Sequence, residues 1–137
     1  MPPHSVAMLL LATARAGTRP APPGLIRKLI GGHILAPGLR ADAVMHSALG
    51  ELEASWKRGG LRQVAAQLQA HCARLSDILD EDERRQIVSE MLQVASAVTT
   101  DDAARDRVAV FPYAAARAWQ LDDLAATLMK KGAAGKP

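Results

Sequence analysis

The side chains able to do chemistry in this chain are few, and they are scattered. Asp101, Asp102 and Asp106 lie close together in TTDDAARD, and three carboxylates so spaced offer oxygen ligands to a hard cation such as calcium or magnesium. The same acids equally suit a helix start, where a side-chain oxygen caps free N–H groups and negative charge meets the positive end of the helix dipole. Asp80 to Glu83, DEDE, reads the same way, with Asp80 as N-cap and Glu83 completing a capping box. His4, His33, His46 and His71 share no zinc-binding spacing. His71 and its neighbour Cys72 point about 100° apart on a helix. No His-Glu-x-x-His, phosphate loop or nucleophile elbow occurs, and Gly31-Gly32-His33 is too short to cradle a phosphate. These residues define no catalytic set and call for no cofactor, so the expectation is a non-enzymatic protein.

Basic residues form the other candidate group. Arg27, Lys28, Arg40, Lys57, Arg58 and Arg62 are expected to bind an anionic partner if they converge, and are otherwise solvated surface. They lack interleaved aromatics and a helix-turn-helix frame, which argues against nucleic acid. Residues 1–75 hold nine Lys/Arg against three Asp/Glu, and residues 76–137 hold eight against eleven. Opposite signs in the two halves suit head-to-tail self-association or an acidic partner. Lys130, Lys131 and Lys136 allow at most a peripheral contact with an acidic membrane.

The elements that must position these groups are helices. A length of 137 residues fits one domain, and abundant Ala, Leu, Arg and Glu with few aromatics favours an all-α chain. VAMLLLATA (Val6 to Ala14) is too short to span a bilayer, and no Lys or Arg precedes it as a signal peptide would require. It reads as a core helix over about Ser5 to Arg15, buried on several sides. A proline-rich loop, GTRPAPPG, then separates it from a short helix, Leu25 to Ile30. A helix over Leu39 to Arg58 carries the stripe Met45, Leu49, Leu52, Trp56. Gly59-Gly60 should turn it back on a partner helix, Leu61 to Leu75, whose stripe is Leu61, Val64, Leu68, Cys72 and Leu75. Cys72 on that stripe reads as a small buried hydrophobe, and a single cysteine fits a reducing, cytoplasmic setting.

Asp80 opens the helix expected to lie at the centre, with Ile87, Met91, Val94 or Ala95, and Val98 inward and Arg84, Arg85 and Glu90 outward. Thr99 to Asp102 breaks it. A sixth helix follows, with Ala104, Val108, Phe111 and Ala115 inward and Pro112 kinking or dividing it. A last helix, Leu121 to Lys131, turns Leu121, Leu124 and Leu128 inward. The expected organisation is a leader at 1–4, a single bundle of about seven helices at 5–131 and a tail at 132–137.

A shift of 83 residues lays Met8, Ala12 and Ala14 on Met91, Ala95 and Ala97, and Leu25 on Val108, each half reading helix, polar break, helix. With that doubling, Leu79 to Asp123, LDEDERRQIVSEMLQVASAVTTDDAARDRVAVFPYAAARAWQLDD, resembles the second half of the tellurite-resistance TerB-like family. The first half resembles it more weakly. The resemblance implies an all-helical domain of two related helical hairpins, in bacterial cytoplasmic proteins linked to tellurite and other stress and in modules attached to membrane co-chaperones. The internal repeat and the lack of a catalytic constellation make action through a protein partner the leading expectation, although the sequence names no partner.

That family typically places Ala-Asp-Gly at the end of each hairpin's first helix, with Glu some seven residues past the Asp. Here Ala97, Val98 and Thr99, with Arg105, stand in the second copy, and Ala14, Arg15 and Ala16, with Pro22, in the first. Valine, arginine and proline offer no carboxylate to a cation.

Overall fold

The computed structural model describes residues 3–22, 24–33, 40–101, 103 and 107–127. Every regular element among them is a helix. None of these helices is long and apolar enough to cross a membrane.

Helix α1 (Pro3–Arg15) buries nine consecutive residues, Ser5 to Thr13. Such a helix must be surrounded, and its sequence permits this, because nearly every position is apolar or small. Its one buried threonine, Thr13, donates its hydroxyl proton to the Leu9 carbonyl at 2.8 Å, so that group is satisfied within the helix. The helix begins at Pro3, where a missing N–H costs nothing, so His4 belongs to the first turn rather than to a leader.

The centre of the molecule is therefore α1. The stretch from Asp80, expected there, forms a wall beside it: α4 (Glu81–Ala97) buries one side, including Ile87, Val88, Met91, Val94 and Ala95. Its start is capped as the sequence indicates, with Glu83 N–H donating to Asp80 Oδ1 at 2.8 Å and Asp80 N–H to Glu83 Oε1 at 3.1 Å. Met8, Leu9, Leu10, Ile87 and Met91 are essentially inaccessible to solvent, and each such side chain contributes about 1.5–3 kcal/mol through its burial.

Helix α2 (Leu25–Gly31) turns Ile26 and Ile30 inward. Helix α3 (Ala41–Ser76) joins the two stretches expected as separate helices, and only Gly59 and Gly60 inside it depart from helical angles. Glu51 and His71 nonetheless meet at 2.6 Å. An unbroken helix would hold residues twenty apart about 30 Å from each other. The glycines thus fold the second arm back along the first, as the sequence led us to expect.

The stripe on the first arm is rotated from expectation. Val44, Ala48, Leu52 and Ser55 face the core, whereas Leu49 is 46% and Trp56 36% exposed. Small Ala48 and Ser55 let the arm lie close to α1, which counting large apolar side chains alone cannot detect. On the second arm Val64, Leu68, Cys72 and Leu75 are buried, and Leu61, next to the bend, is 58% exposed.

Helix α5 (Val110–Ala118) begins two residues before Pro112. In the first turn the proline lacks an N–H that had no acceptor within the helix, so it divides the expected sixth helix rather than kinking it. Val108, Phe111 and Ala115 are buried. Trp119, just past α5, donates its indole N–H to the Cys72 carbonyl at 2.8 Å. Residues 122–127 are helical again, with Leu121 and Ala125 buried, and Asp123 accepts two hydrogen bonds from Arg85 at 2.8 and 3.0 Å. Ala104, Arg105, Leu128 and the tail lie outside the described residues.

Candidate functional site

The chemically richest cluster combines residues from α1 and both arms of α3. His71, on the second arm, is 1% exposed and has both ring nitrogens engaged. Nδ1 lies 2.8 Å from Ser5 Oγ, and Nε2 lies 2.6 Å from Glu51 Oε2. A carboxylate only accepts, so Nε2 carries the proton and donates it to Glu51; in a neutral ring Nδ1 then accepts from the Ser5 hydroxyl. His4 completes the group, its Nε2 3.2 Å from Glu51 Oε1 and its Nδ1 3.5 Å from Ser47 Oγ. The two rings sit 5.7 Å apart, tilted by 50°.

One carboxylate therefore bridges two imidazoles, one buried and one at the surface. Burial pushes the Glu51 carboxyl up, but hydrogen bonds from His71 and His4, with the attraction of both rings, outweigh it and hold it below its ordinary value. Ser5 is buried beneath His71, while His4 and Glu51 are about one-third exposed, so the group opens to water on one side. His4, Glu51 and His71 offer ligand atoms all within 4.8 Å of one another. They could hold a metal ion.

Nothing in the spacing of these residues announces the group, because they are brought together only in three dimensions. The one signal was the Gly59-Gly60 turn. Folding the chain there sets Glu51 roughly opposite residue 68, within a turn of His71. His4 carried no such signal.

A second histidine is also paired. His33 Nε2 lies 2.5 and 3.1 Å from the two oxygens of Glu90, and both residues are buried. This corrects the outward position expected for Glu90: a buried carboxylate is tolerated when a hydrogen-bonding partner is enclosed with it. His46 is exposed. Burial raises the Cys72 thiol to about 12, which fits the inert hydrophobe expected from the sequence.

Of the three acids read as a possible cation site, Asp101 is exposed, and Asp102 and Asp106 lie outside the described residues. The basic residues are exposed but lie at two ends of the first arm of α3. Arg27, next to Lys28 on α2, pairs with Asp42 at 3.0 Å, near the start of α3. Lys57, Arg58 and Arg62 flank the glycine bend, about 24 Å further along the axis.

Ala97 and Val98, at the end of α4, form a tight junction with the loop after α1. Val98 is buried, and its carbonyl accepts from the N–H groups of Thr18 and Arg19 at 2.8 and 3.1 Å. Arg19 Nε donates to the Ala97 carbonyl at 2.8 Å, placing a cation at the negative end of α4. Arg15 pairs with Glu53 and lies 4.4 Å over the Trp56 ring.

No family model, no curated protein and no solved structure matches this chain.

Proposed function

We propose that the chain is a non-enzymatic helical module of the TerB-like kind, acting through contacts with another protein in a bacterial, cytoplasmic stress or tellurite-resistance setting. The observation that carries the contact reading is the uncovered flank of α3. Met45, Leu49 and Trp56 recur at helical spacing beside the buried face, yet Leu49 and Trp56 remain exposed. Arg15 stacked on Trp56 holds the indole in place. Tryptophan and arginine are among the residue types that dominate binding energy at protein interfaces. The TerB-like reading rests on the resemblance, with which an all-helical architecture among the described residues accords.

The test is quantitative capture of host proteins on immobilised chain, comparing the wild type with Leu49→Asp and Trp56→Ala. Both positions are substantially exposed, so circular dichroism should show an unchanged fold. Proteins retained by the wild type should fall by about tenfold or more on the variants. An identical retained set would overturn the assignment of this flank.

A further inference from the structure

We propose that His4 Nε2, His71 Nε2 and the Glu51 carboxylate form a binding site for a divalent transition ion, zinc being the type, with coordination left open toward solvent. This goes beyond the protein-contact reading and does not depend on it.

The geometry is close to what such an ion needs. Metal–ligand distances of about 2.0–2.1 Å in a tetrahedron separate neighbouring ligand atoms by about 3.3 Å. His4 Nε2 stands 3.2 Å from Glu51 Oε1 and His71 Nε2 2.6 Å from the other oxygen, Oε2, so an ion shared by the two rings would meet the carboxylate through either oxygen or both once the His71 contact opens by a fraction of an ångström. All three donors fall within 4.8 Å of one another. Among the described residues no other group of three His, Cys, Asp or Glu side chains meets this condition.

The surroundings orient the ligands. A metal-bound histidine ordinarily donates a hydrogen bond from its second ring N–H to a fixed partner. His71 has Ser5 Oγ at 2.8 Å, on a buried side chain, and His4 has Ser47 Oγ at 3.5 Å. A hydroxyl both donates and accepts, so Ser5 serves either state. Without the ion it donates to Nδ1 while Nε2–H is held by Glu51. With the ion, Nε2 gives its lone pair to the metal, the ring proton resides on Nδ1, and Ser5 Oγ accepts it.

Donor type decides the ion. Two imidazoles and one carboxylate suit zinc, cobalt, nickel or iron(II), whereas magnesium and calcium prefer all-oxygen cages. The partial exposure of His4 and Glu51, each about one-third, leaves space for water or a further ligand on the solvent side. Such an ion would also fasten the first turn of α1 to both arms of α3.

Calorimetric titration of the tag-free full chain with zinc, with cobalt absorption as an independent readout of imidazole coordination, tests the site. One ion per chain is expected, with no uptake of magnesium at millimolar concentration. His4→Gln and Glu51→Gln should each weaken zinc binding at least tenfold, and Ser5→Ala by about tenfold. His46→Gln should leave it unchanged. The first two variants alter partly exposed side chains, so the proposal does not hang on a buried His71 substitution. Absence of zinc binding would overturn it, as would binding that His4→Gln and Glu51→Gln leave intact or that His46→Gln removes.

Discussion

Gly17 shows how a single residue shapes the fold. A Cβ built there would lie 2.3 Å from Val98 Cγ2 and 2.6 Å from the Val98 carbonyl oxygen, too close for either to yield cheaply. The loop after α1 can then donate its N–H groups to the end of α4 only because this residue has no side chain. Gly17→Ala should cost about 3 kcal/mol in chemical denaturation, the upper end for overpacking, and an unchanged midpoint would contradict the close packing. The absence of a carboxylate from Ala97-Val98-Thr99 was plain in the sequence. The junction that Val98 makes was not, because it pairs Gly17 with a residue some eighty positions away. Cys72 was readable since an apolar stripe implies burial. Glu90 was not, because its partner His33 lies in the turn after α2, and periodicity reports apolar side chains rather than polar groups enclosed in pairs.

At the scale of elements, the cap on α4 and the reversal inside α3 were legible because each depends on local chemistry. A capping box needs only two side chains three residues apart. The reversal depends on Gly60, whose φ of 63° with ψ of −147° lies in a region essentially reserved for glycine. Gly60→Ala meets no neighbouring atom, so its effect should isolate backbone strain. A loss of about 1–3 kcal/mol by denaturant titration is expected, and a neutral result would mean that the bend does not need this conformation. Helix faces were less legible. Met45, Leu49, Leu52 and Trp56 made the larger stripe, but the packed face passes through Val44, Ala48 and Ser55 because small residues let helices approach. The side chains left outside form the flank proposed to meet a partner.

Across the whole molecule, the all-helical class followed from composition, while the arrangement depended on which helix could be enclosed. An amphipathic helix such as α4 can serve only as a wall, whereas α1, apolar around nearly its full circumference, can be surrounded. That placement brings the first turn of α1 to the folded-back arms of α3 and makes a group of His4, Glu51 and His71 that no linear spacing reveals. The meeting of these segments is tested most directly by nuclear Overhauser spectroscopy on the histidine rings of the metal-free chain. With the rings 5.7 Å apart, a direct cross-peak between His4 and His71 ring protons is expected. Rings that show contacts only within their own helices would contradict it.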